Sequence, residues 1–504
     1  MNPVFGIHVG NSGACLAMCK KDDSKFQIEV IANHAGERVT PAIVTVTENE
    51  NVVGTACKSL MISRWNTTVV CNKRMLDTNT PELENGHRRV ATVLREDELC
   101  YELPLEDRTE YMTPTDIARS IFRTLYEIAR SAVPGAESEA SCVLLVPRLM
   151  SDEGRFKLRS AAEAVGWDVM HIICEPAAAI LGYDLLSDCI TKKVLVYRVG
   201  GRSCDVTLIQ VDRGFLNIQD TEYTEDVGGK LLINTLTNYL AQEFYRKYKL
   251  DPKESHRSLT KLTLAAENCL HVLSSIESAN CFVESLCEGV DFSHQMSRAR
   301  FESLLNPFLV EFAKPLHSVL SRQNLTPDDV TMVLLCGGPM KMPKLRKYIS
   351  EIFQESKTKI VPLLTGVNYD EVLACGAARQ AGYIADNNMG DNFLPDQLEI
   401  PVLEFAITIK VEGAQSDRHE LESGLFLPIH KTMRVSSPEE LVTLTFSQFE
   451  TDQTILRGQL QLEGLPDPCY LELEVNSEDG LKVGVPEEGE DYRHHIVKMR
   501  PIPL

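Results

Sequence analysis

Three glycine-containing turns each follow an apolar strand and could approach a phosphate group. They are Gly10-Asn11-Ser12-Gly13, Gly200-Gly201-Arg202-Ser203 and Gly337-Gly338. Because the glycines of these turns carry no side chains, backbone N–H groups can come close to an anion, and the neighbouring hydroxyl groups add hydrogen-bond donors. One such turn is most often only a turn, but three in one chain favour a nucleotide-binding site.

Two of these turns lie in segments that look like one unit used twice. Residues 4–18 and 192–211 each contain an apolar strand, a short turn and a second strand. Aligning Gly10 with Gly200 separates the copies by about 190 residues. A repeat of this size predicts a duplicated α/β domain with a ligand held between its halves.

Amphipathic helices are predicted between the strands. Thr113-Pro114 supplies an N-cap and a proline at the first helical position, Ser151 opens a second helix that stops at Gly166, and a third helix covers residues 232–244. Their apolar residues recur at helical spacing, which indicates faces packed in a core rather than sites.

The pattern changes near residue 386, where a polar stretch (DNNMGDN) precedes strands with alternating apolar residues. We predict one domain over residues 1–385, with halves at about 1–188 and 189–385, a linker at 386–400, and a small antiparallel β-domain at 401–504. The strands expected in the β-domain are residues 403–411, 441–449, 455–462 and 470–475, with a turn at 477–480.

Negative charge is concentrated in that last region. The chain has 51 Lys and Arg against 72 Asp and Glu, a formal net charge of −21, and 9 basic against 23 acidic residues from Asp386 onward place −14 of it there. Such a surface repels polyanions, so direct binding to nucleic acid or to an acidic lipid face is disfavoured.

The 15 cysteines are spread singly, without a C-x-x-C pair or a Cys/His cluster at zinc spacing. This favours reduced core thiols over disulfides or metal ligands. The first residues lack the charged and apolar regions of a signal peptide, and no apolar stretch approaches the ~18 residues of a membrane span. We expect a soluble protein of the cytosol or nucleus.

Further motifs resemble those of the heat shock protein 70 (DnaK-type) chaperone family. They are residues 33–41 (NHAGERVTP), 72–74 (NKR), 175–179 (EPAAA), 226–229 (DVGG), 297–302 (SRARFE), and 336–338 (CGG) followed by Pro343-Lys344. The resemblance runs in order from about residue 4 to 384. It implies an actin-like ATPase fold whose two lobes close over ATP, followed by a β-sandwich that in typical members binds extended apolar peptides under a helical lid.

The resemblance also implies roles for particular residues. Asp205 stands at a catalytic-site carboxylate, Lys73 at a lysine that helps to orient the attacking water, and Glu175 at a glutamate near the metal. The implied ATP contacts are Gly10, Asn11, Ser12, Arg198, Gly200, Gly201, Ser203, Gly228, Gly229, Glu267, Ser274, Gly337, Gly338, Lys341 and Asp370. Of these, Asn11, Ser12 and Ser203 replace phosphate-contacting threonines.

The chain departs from the family where each repeat normally carries an Asp that holds hydrated magnesium. His8 and Arg198 stand at these two positions. Magnesium prefers oxygen ligands and neutralises phosphate charge during phosphoryl transfer, so much of its site is gone and no metal ligands are predicted. Arg198 could instead touch the phosphates as a fixed positive charge. We expect ATP or ADP to bind, with little dependence on magnesium, as a structural ligand that holds the lobes closed, and hydrolysis to be weak or absent.

The adenosine side is also altered. Leu270 and His271 stand where the family has a Lys-Arg pair, and Pro339 replaces a serine after Gly338. Lys341 replaces an arginine that stacks on adenine, and an ammonium group is a poorer flat partner for the base.

The tail departs as well. Residues 392–400 (NFLPDQLEI) carry Pro395 where the family has a run of leucines, and about 100 residues of helical lid are not expected after the β-region. Exposed strand edges would suit a stable partner strand. These features resemble the short, atypical family branch of the ribosome-associated complex. The implied partners are a J-domain protein of the zuotin type, the ribosome through that partner, an active family member in the cytosol, and nascent polypeptide.

Three other functions remain open. One is an autonomous ATP-hydrolysing peptide chaperone with an unusual site. Another is a small-molecule kinase of the actin-like superfamily, which has no need of the stretch at residues 33–41 or of an added acidic β-domain. The third is an exchange factor for other family members, which would normally carry a helical extension.

Overall fold

The computed structural model describes residues 2–22, 25–77, 90–95, 98–133, 140–185, 191–212, 215–225 and 227–386, together with eight strands between residues 407 and 497. The chain divides into two compact units, one of residues 1–210 and 218–396 and one of residues 211–217 and 397–504. The first unit holds the glycine turns of both repeat copies and every residue of the predicted site.

The first half of this unit contains one main mixed sheet and two smaller three-stranded sheets. Its strands are β1 (Val4–Val9), β2 (Gly13–Asp22), β3 (Lys25–Val30), β4 (Thr40–Pro41), β5 (Ile43–Val46), β6 (Asn51–Val53), β7 (Thr68–Val70), β8 (Ala91–Arg95), β9 (Glu98–Pro104), β10 (Thr109–Met112), β11 (Ala140–Val146) and β12 (Trp167–Cys174). Its helices are α1 (Ala56–Ser63), α2 (Pro114–Ala132), α3 (Asp152–Glu163) and α4 (Glu175–Gly182), with 3-10 turns at Trp65–Thr67 and Asn72–Asp77. The main sheet has the order β12-β11-β1-β2-β3, with β4 beside β2.

The second half repeats this plan. Its strands are β13 (Lys192–Val199), β14 (Ser203–Asp212), β15 (Phe215–Glu225), β16 (Ser278–Cys287), β17 (Val290–Ser297), β18 (Met332–Cys336) and β19 (Lys359–Ile360). Its helices are α5 (Gly229–Tyr248), α6 (His256–Ser275), α7 (Arg298–Leu305), α8 (Leu309–Arg322), α9 (Pro343–Ile352) and α10 (Val372–Asp386), with 3-10 turns at Pro252–Glu254, Asn306–Phe308, Pro327–Asp329 and Gly338–Lys341. The main sheet has the order β15-β14-β13-β18-β19, and β16 pairs with β17.

Corresponding strands occupy corresponding places in the two sheets. β1 lies between β2 and the parallel strand β11, and β13 lies between β14 and the parallel strand β18. The turns after β1 and β13 close in the same way, since Gly10 N donates to Gly13 O at 2.8 Å and Gly200 N donates to Ser203 O at 2.8 Å. The predicted duplication and α/β fold class are therefore confirmed.

The helix signals in the sequence hold in the structure. Thr113 and Asp116 form a capping box at the start of α2, and Ser151 accepts a hydrogen bond from Gly154 N at the start of α3. The apolar stripe of α2 is buried against the first sheet. In the second half, α5 buries Leu232, Leu236 and Leu240 against the second sheet. Each sheet thus carries its own helical layer and its own core.

Helix α10 returns to the first half and lies directly on β1 and α4. A methyl group at Gly6 in β1 would collide with the α10 backbone at Ala378, and one at Gly376 in α10 would collide with the carbonyl of Ala178 in α4. Only glycine permits this approach. Helix α10 therefore holds β1 and its turn against the rest of the unit.

The strands of the acidic tail are β20 (Ile407–Glu412), β21 (Arg418–Leu421), β22 (Ile429–Val435), β23 (Leu441–Glu450), β24 (Gln453–Glu463), β25 (Cys469–Asn476), β26 (Gly480–Pro486) and β27 (Tyr492–Val497). They form two four-stranded sheets, β21-β20-β23-β24 and β22-β25-β26-β27, in which neighbours run antiparallel. Alternate residues of both sheets share one apolar core. The predicted β-sandwich is confirmed, whereas residues 387–400 of the predicted linker lie outside the described residues.

Two compositional expectations can be compared with the structure. The 14 cysteines within the described residues are free thiols, most of them buried, in agreement with the expectation of reduced core thiols. None of the described helices combines the length and hydropathy that a membrane crossing requires.

Candidate nucleotide site

The glycine turns of the two halves meet in the first unit. A methyl group at Gly201 would collide with the Ser12 side chain, so the turn after β13 lies against the turn after β1. The start of α5 rests on the same turn, because Gly229 N donates to Gly200 O at 3.0 Å and Lys230 N donates to Gly201 O at 2.7 Å. The predicted phosphate-binding residues of both halves are thereby brought together.

The third turn joins this group from β18. Gly337 has φ +96°, its N–H donates to Tyr369 O at 2.7 Å, and a methyl group there would collide with the Val199 carbonyl. Glycine is required at this position both for the left-handed backbone and for the close approach. Pro339 lies two residues further along the chain and close to Gly229, since a methyl group at Gly229 would be 3.4 Å from the Pro339 ring.

Glu175 is the centre of a buried charged cluster. Glu175 is the first residue of α4, and the N-terminus of a helix favours a negative charge. Lys73 Nζ donates to Glu175 Oε1 at 2.6 Å, and His8 Nε2 lies 3.2 Å from the same oxygen. Since a carboxylate only accepts, His8 is the donor. The side chain of Glu175 is 1% exposed, so these contacts take the place of water.

Arg198 joins Glu175 to the third predicted catalytic residue. Its Nη2 lies 3.1 Å from Glu175 Oε2 and 2.5 Å from Asp205 Oδ1. Arg198 and His8 lie at equivalent places, each two residues before the first glycine of its turn. The predicted catalytic residues Lys73, Glu175 and Asp205 therefore lie in one cluster with His8 and Arg198.

The pKa directions show how the cluster distributes charge. Burial by itself raises the pKa of Glu175, but Arg198 and then Lys73 outweigh it, so the pKa lies well below its ordinary value. Burial raises the pKa of Asp205, which the Arg198 charge opposes. Burial lowers the pKa of Lys73 against the pull of Glu175. Burial also lowers the pKa of His8, which keeps the imidazole neutral at pH 7. In their ordinary ionised forms, Lys73, Arg198, Glu175 and Asp205 have formal charges that sum to zero.

Magnesium does not fit this arrangement. The two carboxylates that could ligate a cation already face the guanidinium of Arg198. Within the described residues, no group of three or more His, Cys, Asp and Glu side chains has the arrangement of a metal site. The phosphate turns, in contrast, suit an anion, since glycines approach one another and Arg198 and Lys73 lie beside them.

Four of the predicted ATP contacts interact with residues outside this cluster, namely Glu267, Ser274, Lys341 and Asp370. Lys341 Nζ donates to Asp370 Oδ2 at 2.5 Å, and a methyl group at Gly338 would lie 4.0 Å from that carboxylate. Glu267 pairs with Lys58 of α1 at 3.2 Å, which joins α6 to the first half. Ser274 donates to His271 O within its own helix at 2.6 Å. Lys341 and Asp370 are thus brought together, whereas Ser274 is occupied locally.

Two residues near the charged cluster, Tyr223 and Glu225, were not predicted from the sequence. Tyr223 Oη donates to Glu225 Oε1 at 3.3 Å, and Glu225 Oε2 lies 3.8 Å from Arg74 Nη2. Arg74 in turn donates from its backbone N to Asn11 Oδ1 at 3.2 Å. No turn or spacing signal marks Tyr223 and Glu225. The hairpin from β14 to β15, which follows the second turn, was the available clue to their position.

Two half-domains with one strand order, facing glycine turns and a buried charged cluster define a nucleotide-binding protein of the actin-like ATPase class. The sequence matches the family described as Hsp70 protein over residues 4–423. It is 33% identical over 458 residues to "Heat shock 70 kDa protein 14" of Homo sapiens, covering 89% of this chain and 87% of the relative. It is also 33% identical over 463 residues to the protein of that name from Danio rerio, covering 90% and 89%. The chain therefore belongs to the Hsp70 family of chaperones, which bind ATP or ADP.

Proposed function

We propose that this chain is an atypical Hsp70 co-chaperone that binds ATP without relying on magnesium and hydrolyses it slowly or not at all. The observation that carries the proposal is the guanidinium of Arg198 between Glu175 and Asp205. In ordinary phosphoryl transfer, a mobile divalent cation bridges the phosphates and neutralises charge as it develops. A guanidinium on a strand supplies positive charge at one fixed place, which suits holding an anion more than turning it over.

The same cluster argues for slow hydrolysis. Lys73 and Glu175 are engaged with each other at 2.6 Å, and Asp205 is engaged with Arg198. The Asp205 oxygen that faces the guanidinium is already occupied by it and is not turned toward a water molecule. The residues that resemble a catalytic set are thus occupied mainly in stabilising one another, and the nucleotide acts as a ligand that stabilises the closed unit by mass action.

Nucleotide affinity with and without EDTA tests the role of magnesium. We expect the ATP affinity of the wild-type chain to change less than about threefold when EDTA is added, since no cation site needs to be filled. The double variant His8→Asp with Arg198→Asp restores two carboxylates, so its ATP affinity should become dependent on magnesium. A large loss of wild-type affinity in EDTA would reject the proposal.

Hydrolysis is tested by single-turnover measurement with labelled ATP. The wild-type chain should turn over no faster than the Lys73→Met variant. A magnesium-dependent rate that disappears in this variant would instead support an autonomous ATP-hydrolysing chaperone, because Lys73, Glu175 and Asp205 do lie in one cluster.

The proposed cellular role is pairing with a J-domain protein of the zuotin type at the ribosome, to assist another family member on nascent chains. It is supported by the resemblance of the sequence to the ribosome-associated branch and by the charge distribution. With −14 of the net charge from residue 386 onward, a basic partner must supply the contact with ribosomal RNA. We expect the native protein to be isolated with one stoichiometric partner, and high salt to remove both from ribosomes together. Loss of this chain alone, with the partner retained, would contradict the role.

A further inference from the structure

The carboxylate of Glu225 accepts one hydrogen bond and forms one longer ion pair at the charged end of the site. Its Oε1 accepts from the Tyr223 hydroxyl at 3.3 Å, and its Oε2 lies 3.8 Å from Arg74 Nη2. Glu225 is 54% exposed, whereas Arg74 is 16% exposed. A carboxylate that is open to solvent therefore reaches a guanidinium that is mostly enclosed.

Tyr223 and Arg74 both lie next to residues of the phosphate turns. Arg74 is tied to the first turn through its backbone N, which donates to Asn11 Oδ1 at 3.2 Å. Tyr223 is on β15, which pairs with β14, the strand that begins at Ser203 of the second turn. Burial and then Glu225 raise the pKa of the Tyr223 hydroxyl, while Ser203 and Arg198 act in the opposite direction. The Ser203 hydroxyl in turn faces Gly200, where a methyl group would lie 3.7 Å from it.

A carboxylate in this position behaves as an internal anion. A phosphate group entering between the two turns meets the carboxylate of Glu225 in addition to the buried cluster, whose formal charges sum to zero. Glu225 repels the phosphate, although its exposure to solvent screens part of that repulsion. The phosphate also needs hydrogen-bond donors and cations, and Glu225 accepts a hydrogen bond from Tyr223 and is ion-paired with Arg74.

We propose that Tyr223 is a phosphate-binding residue of this site and that Glu225 is a competing anion that a nucleotide phosphate displaces from Tyr223 and Arg74. This inference rests on the proposed nucleotide-binding function and names residues that determine its affinity. The proposal predicts that two variants change the ATP affinity in opposite directions. Tyr223→Phe removes a donor to the phosphate, whereas Glu225→Gln removes the competing charge and weakens the hold on Tyr223 and Arg74.

The test is ATP affinity in EDTA, measured by displacement of a fluorescent ATP analogue from the full chain. We expect Tyr223→Phe to weaken ATP binding about three- to tenfold, in keeping with the loss of one hydrogen bond to a charged group. We expect Glu225→Gln to tighten it by a similar factor. A purely structural role for these residues would weaken binding in both variants, since each contact would then support the folded site.

Matched control variants lie away from the turns. Tyr245→Phe changes a tyrosine on α5 that is 52% exposed. Glu311→Gln changes a glutamate on α8 that is 41% exposed and paired with Lys314 at 2.7 Å. Both should leave ATP affinity unchanged. If the wild-type chain binds no ATP, the proposed function fails with this inference. If it binds ATP but the two test variants change the ATP affinity in the same direction, only the inference is overturned.

Discussion

The two turns that follow β1 and β13 close with the same backbone hydrogen bond. They differ in the side chain two residues before their first glycine. Each closes with an N–H to carbonyl hydrogen bond of 2.8 Å from its first glycine. Two residues earlier, the first half has His8 and the second half has Arg198. His8 makes one 3.2 Å contact with Glu175, while Arg198 pairs with both Glu175 and Asp205.

This difference shows that the turn and the charge beside it are separate properties. The backbone of the turn comes from small residues and the following strand, and it tolerates either side chain. The charge depends on a single position in each half. Because Arg198 is permanently positive and His8 is neutral at pH 7, the duplicated site has become asymmetric, with its fixed cation in the second half.

The largest expected effect comes from removing that cation. Arg198→Met leaves Asp205 and one oxygen of Glu175 facing each other in a buried site without the guanidinium, so the free energy of unfolding should fall by about 3–5 kcal/mol. Urea-induced unfolding followed by tryptophan fluorescence measures this, since both tryptophans, Trp65 and Trp167, belong to the first unit.

Arg322→Met is the matched control for that measurement. Arg322 also pairs with two carboxylates, Asp220 and Glu222, but its side chain is 44% exposed. Exposed ion pairs contribute little, so the loss should be about 0–1 kcal/mol. Equal losses in the two variants would show that burial of the Arg198 cluster is not what makes it important.

A smaller effect is expected from the backbone of the turns. Gly201→Ala places a methyl group against Ser12 of the other half, whereas a methyl group at Gly10 lies 3.1 Å from the Gly13 carbonyl of its own turn. We expect Gly201→Ala to lower the free energy of unfolding by about 1–3 kcal/mol and Gly10→Ala to lower it less. Ser12→Gly should restore the Gly201→Ala variant, as contacting residues couple. Additive losses would mean that the turns do not meet.

The smallest effect is a pH dependence that belongs to the first half alone. Burial lowers the pKa of His8 below 6.5, so the unfolded chain takes up this proton at a higher pH than the folded chain does. Stability should therefore fall as pH falls below about 6.5, by at most about 1.4 kcal/mol per pH unit. His8→Gln should reduce the loss seen between about pH 7.5 and pH 5.5 in urea unfolding, whereas His34→Gln, at an exposed position, should not. An unchanged loss in His8→Gln would mean that His8 is protonated in the folded chain.

Local signals in the sequence predicted much of the fold because the interactions that produce them are local. Thr113 and Ser151 cap the helices that they were expected to begin. The strand and turn units around Gly10 and Gly200 repeat as expected, since glycine placement and apolar alternation are properties of short segments. The alternation after residue 403 likewise predicted the strands of the tail, to within a few residues at their ends.

The site was predicted only in part. Lys73, Glu175, Asp205 and Arg198 were named by motif, but their cancellation of charge depends on four elements that meet in space. Tyr223 and Glu225 were missed because a strand residue carries no mark of the turn that it faces. Lys58 reaches Glu267 from the other half of the chain, a contact between residues more than 200 positions apart that no spacing rule could indicate.

The sequence by itself determined the duplicated α/β architecture, the three glycine turns, the acidic β-region and the presence of His8 and Arg198 two residues before the first two turns. These follow from residue type and order along the chain. The tertiary structure decided what these two residues do, because the charge state and hydrogen bonding of His8 and Arg198 depend on which carboxylates face them and on how little water reaches them. Only the packed cluster shows that Arg198 lies between two carboxylates and pairs with both of them.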